Sequence, residues 1–308
     1  MKKIILSAVL MFTTLMSAQE YKLIWEENFN DPTVNAKLWN IEENAKGGGN
    51  AEFQYYKAQN VSIEKHPSGE SCLVLSALKG NYKCRPATSG RVNTEGKLSV
   101  KYGKIDIRVQ IPKTVNGLWP AFWMLGDDFA KAVWPKCGEI DIIEMGNAKG
   151  IENNVQEYYY NGACHWGENF NDGKYPNLAM SATSDYSLQG GFHLFTIIWT
   201  PDAIQMFLDQ DKYPAVKPYF VLTINGADVP DSPRRYFNKP FHFVANLAVG
   251  GFFTGLPSPS KKALFVSSRN KNFKKITALP QDGSPVKMYI DYIRVYQNGT
   301  PGEEFQIK

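Results

Sequence analysis

The chain has 308 residues, of which 43% are hydrophobic and 21% charged, and its formal net charge is +4. Loss of Lys2 and Lys3 with a leader peptide would lower that charge to +2 (4 − 2), and no run of five or more basic residues occurs in the sequence. So small a net charge, without a basic cluster, argues against a nucleic-acid partner and favours a neutral substrate.

The chain begins with the pattern of a secretory signal. Met1–Lys3 is basic, Ile4–Met16 is apolar, and Ser17 and Ala18 are the small residues that a signal peptidase prefers. The apolar run is shorter than the roughly 20 residues that span a membrane. We therefore expect a signal peptide over residues 1–18, cleaved near Ala18, and a soluble monomer that is exported to the periplasm or the medium. Residues 19–308 contain no linker or repeat and are expected to form one domain.

Short alternating segments predict an all-β fold. In Gly103–Ile111 the aliphatic residues Ile105, Ile107 and Val109 alternate with polar ones, as in a half-buried strand. Similar runs occupy Cys72–Leu78, Phe192–Trp199, Ile204–Leu208, Phe241–Ala248 and Lys287–Tyr296. Helical periodicity longer than two turns is absent, so two packed antiparallel sheets are expected. Long loops are predicted over Ile41–Gly49, Gly167–Gln189 and Gln210–Asn238.

Four cysteines make disulfides permissible in an exported protein without requiring them. Cys72 and Cys84 could close a short loop, and a free pair is the equal alternative. For Cys137 and Cys164 the favoured interpretation is buried free thiols. None of the four has the spacing of a zinc site.

The segment Cys137–Glu144 (CGEIDIIE) places three carboxylates among β-branched residues. On a regular strand Glu139 and Asp141 share a face, whereas Glu144 points to the other side. A β-bulge at Ile142 and Ile143 would return Glu144 to the face of Glu139, and bulges are frequent beside active sites. The pattern therefore predicts an acidic active site on a bulged strand, although a solvated face or a calcium ligand set would also explain it taken alone.

Neighbouring motifs strengthen the active-site interpretation. They are Asn50–Tyr56 (NAEFQYY), Ser89–Arg91 (SGR), Tyr102–Lys104 (YGK), Gly117–Gly126 (GLWPAFWMLG), Trp134–Pro135, Gly162–Gly167 (GACHWG), Phe192–His193, Trp199–Asp202 (WTPD), Asn246–Gly251 (NLAVGG) and Asp291–Tyr296 (DYIRVY). With these motifs in this order, nearly the whole chain after the leader resembles glycoside hydrolase family 16, within its bulged, laminarinase-like β-1,3-glucanase branch. The resemblance implies a jelly-roll sandwich whose concave sheet carries the substrate cleft.

The resemblance also implies roles for the acids. Glu139 would be the nucleophile, Glu144 the acid/base, and Asp141 the residue that sets their protonation. Two carboxyls about 5–5.5 Å apart are typical of retaining glycosidases, in which one carboxylate forms a glycosyl-enzyme intermediate. The implied reaction is retaining endo-hydrolysis of β-1,3-glucan such as laminarin, extending to mixed-linkage β-1,3/1,4-glucan.

Substrate contacts are predicted from residue type and from matching motif positions. Flat aromatic faces can stack on sugar C–H groups, and amide and guanidinium groups suit a hydroxyl-rich ligand. The candidates are Asn50, Arg91, Trp119, Trp123, Trp134, Gln156, His165 and Asn246.

No cofactor is needed for this chemistry. Family members often hold a structural calcium, for which Asp291 matches one ligand, while Asn28 stands where the usual pattern has Glu. Two alternatives stay open: a hydrolase of a red-algal galactan such as agar or porphyran, and a glucan-binding protein without catalysis. Transglycosylation, in which a sugar instead of water captures the glycosyl-enzyme intermediate, is a third alternative.

Overall fold

The computed structural model describes residues 20–170, 173–224, 226–227, 229–259 and 265–308, so the predicted signal peptide lies outside the described residues. Within these ranges the chain forms nineteen strands and two short α-helices. The strands are β1 Lys22–Glu27, β2 Asn40–Ile41, β3 Gln54–Tyr56, β4 Val61–Lys65, β5 Ser71–Tyr82, β6 Arg85–Ser89, β7 Arg91–Asn93, β8 Leu98–Lys101, β9 Gly103–Gln110, β10 Leu118–Gly126, β11 Glu139–Met145, β12 Tyr159–His165, β13 Asn177–Thr183, β14 His193–Trp199, β15 Ala203–Leu208, β16 Phe220–Thr223, β17 Phe241–Val249, β18 Val286–Gln297 and β19 Glu304–Ile307. The helices are α1 Phe129–Ala132 and α2 Ala148–Glu152, and 3₁₀ turns span Gly47–Gly49, Ala58–Asn60, Pro233–Arg235 and Phe273–Lys275.

The strands form two sheets, as predicted. One sheet has the order β16-β15-β14-β9-β18-β5-β6-β3, with β1 on β18 and β4 on β5. The other has the order β13-β12-β11-β10-β17-β7-β2, with β8 on β17 and β19 on β8. Apart from the parallel pair β3 and β6, the strand pairs of the described residues are antiparallel. We call the second sheet the site sheet, because it carries the acids.

Alternation along the strands forms the core between the sheets. On β9, Ile105, Ile107 and Val109 are fully buried, which confirms the strand predicted there. On the site sheet, Phe122 of β10 and Phe243 of β17 pack in the same hydrophobic cluster, with ring centres 5.8 Å apart. One face of each strand thus packs in the core, and the opposite face of the site sheet is left for polar and aromatic side chains.

Two of the predicted loops contain strands. The segment Gly167–Gln189 includes β13, and Gln210–Asn238 includes β16. β13 is a sheet edge with mostly exposed residues, and β16 has only four residues. Neither offers the run of buried, β-branched residues by which strands are recognised in a sequence.

The cysteines do not form disulfides. The suggestion that Cys72 and Cys84 close a short loop is wrong, because β5 runs extended between them and at about 3.3 Å per residue holds the two ends roughly 35 Å apart. A disulfide needs Cα atoms within about 7 Å. Cys137 and Cys164 are buried free thiols, as expected. No helix of the described residues has the length and hydropathy needed to cross a membrane.

Candidate active site

A β-bulge in β11 brings the three acids onto one face. Against β10, Phe122 pairs with Ile143 and Trp123 pairs with Asp141, so Ile142 has no partner on β10. The pairing with β12 shifts in the same place, between Asp141 and Glu144. Ile142 and Ile143 are both fully buried in the core. The bulge predicted from the sequence is confirmed, and Glu144 joins Glu139 and Asp141 on the outer face of the site sheet.

Residues directly opposite one another on neighbouring strands form a line across the acids. Arg91 pairs with Asn246, Asn246 with Ala121, Ala121 with Glu144, Glu144 with Asn161, and Asn161 with Ser181. Because directly opposed residues share a face of the sheet, their side chains all project outward. We call these six residues the cross-strand row. It runs perpendicular to the strands and passes through Glu144 near its middle.

Each acid has a specific polar neighbour. Trp119 donates a hydrogen bond from Nε1 to Oε1 of Glu144 at 3.0 Å. Nε2 of His165 lies 3.3 Å from Oδ2 of Asp141 and 4.0 Å from Oε1 of Glu139. The predicted contact between His165 and Asp141 is therefore present, and Trp119 holds one oxygen of the expected acid/base.

Burial and mutual repulsion keep the acids from all being ionised. Burial raises the pKa of Glu144 to about 8, and the charge of Asp141 adds to the increase. For Glu139 the order of causes is the same: burial first, then the charge of Asp141. Burial also raises the pKa of Asp141. Ionising one of these carboxyls disfavours ionising the next, so one carboxylate beside one protonated carboxyl is a natural state of the site at neutral pH.

On one side of the acids, polar side chains are paired with one another. Arg91 donates from Nε to Oε1 of Glu42 at 2.7 Å, and its guanidinium lies 4.9 Å from the ring centre of Trp123. Nε1 of Trp123 donates to Oδ1 of Asn246 at 2.7 Å. Burial alone would raise the pKa of Glu42, but Arg91 and neighbouring hydrogen bonds lower it below its usual value. The predicted residues Arg91, Trp123 and Asn246 are thus joined in one network, and Glu42 is the member that sequence reasoning missed.

Asn50 lies at the edge of the same region. It follows the 3₁₀ turn Gly47–Gly49, and its carbonyl accepts a hydrogen bond from the amide of Phe252 at 3.0 Å. The neighbouring Phe253 stacks on Trp119 with ring centres 4.6 Å apart. Gly251 has φ +102°, and a Cβ there would lie 3.3 Å from the Trp119 ring, so only glycine fits this close approach. This loop links Asn50 to the Trp119 side chain.

On the other side of the acids, aromatic rings form a wall. Trp134 meets Tyr175 edge-on at 4.7 Å between ring centres, and Phe170 lies 5.5 Å from Trp134. Burial, and then the charges of Glu139 and Asp141, raise the pKa of Tyr175. The aromatic wall, which we define as Trp134, Phe170 and Tyr175, therefore faces the acids. Sequence reasoning missed Phe170 and Tyr175, because they lie in a predicted loop and no motif marks them as site residues.

The segment Gln210–Asn238 supports the chain that carries this wall. Trp166 donates from Nε1 to the carbonyl of Asp231 at 2.7 Å, and the Tyr236 hydroxyl donates to Oε1 of Glu168 at 3.2 Å. This segment thus contributes to the cleft indirectly, through the loop it holds.

Comparison with known proteins agrees with this geometry. The family model described as glycosyl hydrolases family 16 matches residues 42–235. The chain belongs to glycosyl hydrolases family 16. It is 32% identical over 288 residues to a beta-glucanase of Rhodothermus marinus, covering 91% of this chain and 86% of the relative. It is 30% identical over 295 residues to glucan endo-1,3-beta-glucosidase A1 of Niallia circulans, covering 89% of this chain but spanning only 38% of that relative.

A solved structure gives the same fold. It is a family 16 protein of a mixed-linkage glucan PUL from Bacteroides ovatus, in complex with a G4G4G3G product. The TM-score is 0.72 at 34% identity, with 89% of this chain and all of that chain covered. The all-β jelly-roll sandwich expected from the sequence is confirmed.

Two predicted residues are not joined to the acids by a side-chain contact. The backbone carbonyl of Gln156 accepts a hydrogen bond from the Gln189 side chain at 2.9 Å. The side-chain oxygen of Gln156 is buried without a hydrogen-bond partner among the described residues. Asp291 forms an ion pair with Arg108, whose guanidinium also lies 3.4 Å from Glu70.

Asp291, the calcium ligand that the resemblance implied, is not in a group of converging His, Cys, Asp or Glu side chains among the described residues. Its carboxylate is already neutralised by a protein cation. In the described part of the chain, the one group of three His, Cys, Asp or Glu side chains with converging ligand atoms is Glu139, Asp141 and His165, in the active site itself.

Proposed function

We propose that the protein is a retaining endo-glucanase that hydrolyses β-1,3-glucan such as laminarin, and also mixed-linkage β-1,3/1,4-glucan, without a cofactor. The observation that carries the proposal is the bulge at Ile142, which places Glu139, Asp141 and Glu144 on one outward face. Family membership and the names of the glucanase relatives support the same substrate class.

In the first step, the Glu139 carboxylate attacks the anomeric carbon of the sugar. The glycosidic C–O bond breaks, and the leaving oxygen takes a proton from Glu144. Burial raises the pKa of both glutamates to about 8, and the negative charge of the Glu139 carboxylate favours keeping the proton on Glu144. Trp119 hydrogen-bonds Oε1 of Glu144 and so leaves the other oxygen to carry the proton.

In the second step, Glu144, now a carboxylate, takes a proton from a water molecule. That water attacks the anomeric carbon, the ester bond to Glu139 breaks, and the β-configuration is restored. Asp141 is buried between the two glutamates, and its charge raises the pKa of both. We assign to Asp141, oriented by His165, the role of coupling their protonation.

We place the sugars on the non-reducing side of the cleaved bond over β17 and β7, beside Trp123, Asn246, Arg91 and Asn50. The leaving-group side then lies over β12 and β13, next to the aromatic wall. We also propose that the protein is exported after cleavage near Ala18, on the pattern of residues 1–18. The mass of the protein recovered from the periplasm or the medium tests that cleavage.

The nucleophile assignment is tested with Glu139→Gln. An amide of the same shape cannot form the ester, so we expect turnover of laminarin to disappear while binding, followed by calorimetry, is retained. Glu26→Gln, the same change at an exposed glutamate on β1 of the other sheet, is the control and should keep activity. Turnover by Glu139→Gln at the wild-type rate would refute the assignment.

Substrate class is tested by product analysis of the wild-type protein on laminarin, mixed-linkage glucan and agarose. Short oligosaccharides from one or both glucans alone are expected. Release from agarose alone would establish the galactan alternative, and binding of glucan without any product would establish the binding-protein alternative.

A further inference from the structure

The cross-strand row extends past the acids to two residues that have no assigned role. Asn161 lies on β12 directly opposite Glu144, and Ser181 lies opposite Asn161 on β13. The other end of the row, Arg91 and Asn246, belongs to the network of predicted sugar contacts. The row is therefore polar on both sides of the acid/base.

Asn161 is held in place by Ser181 but is only half satisfied. Its Nδ2 donates to the Ser181 hydroxyl at 2.6 Å. The whole residue is only 6% exposed, and its Oδ1 is buried. Nevertheless, Oδ1 accepts no hydrogen bond from the described residues. Burying an amide oxygen without a partner is unfavourable, and most such atoms in proteins are paired. An unpaired acceptor beside a catalytic carboxyl points to a donor that arrives with the ligand.

The outward positions next to Asn161 carry small side chains. The next outward position on β12 is Ala163, which pairs with Ala179 of β13. Both have methyl side chains, so neither position places a long side chain between Asn161 and His165, the next outward residue of β12. The Trp134 and Tyr175 rings each offer an apolar face, and Asn161 offers an acceptor, which together suit a sugar unit.

We propose that Asn161, oriented by Ser181, accepts a hydrogen bond from a hydroxyl of the sugar on the leaving-group side of the cleaved bond. This role rests on the proposed function, because it uses the placement of the leaving group over β12. Asn161 acts on the substrate and not on Glu144. It sets how strongly the leaving sugar is held when Glu144 donates its proton.

The test compares two substrates that differ only in what occupies the leaving-group side. Laminarihexaose places sugar there, whereas phenyl β-laminaritrioside, assayed by released phenol, places a ring without hydroxyls. Phenol has a pKa of about 10, as a tyrosine side chain has, so it still needs the proton of Glu144. For Asn161→Ala we expect kcat/KM on laminarihexaose to fall by about tenfold, the worth of one hydrogen bond. With the phenyl substrate, kcat/KM should be unchanged.

Matched variants separate this role from a structural one. Ser181→Ala should produce a smaller loss in the same direction, because it frees the Asn161 amide without removing it. Thr223→Ala, an exposed change on β16 of the other sheet, should affect neither substrate. Melting temperatures of all three variants, measured by circular dichroism, report the fold.

Every other result overturns the proposal. Equal losses on both substrates would mean that Asn161 acts through Glu144 or through the fold. No loss on either would mean that it does not contact the substrate. If the wild-type protein cleaves neither substrate, the proposed function itself fails. This result differs from the two outcomes above, in which the wild-type protein is active.

Discussion

The two sides of the acid strand are built differently. Toward β17 and β7, Glu42, Arg91, Trp123 and Asn246 are joined by protein hydrogen bonds and a cation–π contact. Toward β12 and the Trp134 loop, the polar atoms Asn161 Oδ1, His165 Nδ1 and Trp134 Nε1 are buried without hydrogen-bond partners among the described residues. We call these regions the paired half and the open half.

The difference shows two ways in which a sheet can prepare for a polar ligand. In the paired half, side chains are fixed by one another, so little conformational entropy is lost when a ligand binds. In the open half, buried donors and acceptors are left for the ligand to satisfy, which costs stability but favours a specific ligand. Substitutions in the paired half should therefore reduce stability, whereas those in the open half should mainly reduce binding.

The largest effect is expected for Arg91→Ala in the paired half. It leaves the partly buried Glu42 carboxylate without its cation, a change that costs about 3 kcal/mol when an ion pair is buried. Urea unfolding followed by fluorescence measures it. Lys136→Ala is the control, because the half-exposed ion pair of Lys136 with Glu168 contributes about 1 kcal/mol or less. Equal stability of the two variants would remove the distinction between the halves.

A smaller effect is expected for Tyr175→Ala in the open half. It removes one ring of the aromatic wall, so binding of laminarihexaose by the Glu139→Gln protein should weaken by about tenfold, as expected for loss of a stacked ring. The melting temperature should change little. Tyr213→Ala, which removes an exposed tyrosine remote from the acids, is the control. If Tyr175→Ala loses as much free energy of unfolding as it loses free energy of binding, the ring behaves like the residues of the paired half, and the distinction fails for Tyr175.

The smallest effect is a change of pH profile at the boundary of the halves. Burial raises the pKa of Glu144 to about 8, so kcat/KM should fall as the pH rises through that value and the acid loses its proton. The Trp119 hydrogen bond lowers this pKa, because it stabilises the carboxylate. Trp119→Phe should therefore move the alkaline limb to higher pH. Trp166→Phe, whose indole donates to the Asp231 carbonyl instead, should leave the limb in place. An alkaline limb that moves to lower pH in Trp119→Phe would contradict the assigned hydrogen bond.

The sequence allowed the acid strand to be predicted in detail but not the open half. Glu139, Asp141 and Glu144 lie within six consecutive residues, so the parity of a strand and one bulge are enough to place them. Asn161 and Tyr175 are far from them along the chain and reach them only through strand pairing and a loop. Glu42 could have been recognised only from its distance to Arg91 in space.

What the sequence determined is local: the alternation that makes strands, the acids with their bulge, and the motifs that carry the family resemblance. These features depend on neighbours a few residues apart, for which side-chain direction follows from backbone geometry. The tertiary structure decided the register between strands, which aligns Arg91, Asn246, Glu144 and Asn161 in one row. It also decided which polar atoms are paired and which are left to a ligand, because burial and hydrogen bonding depend on segments that meet only after folding.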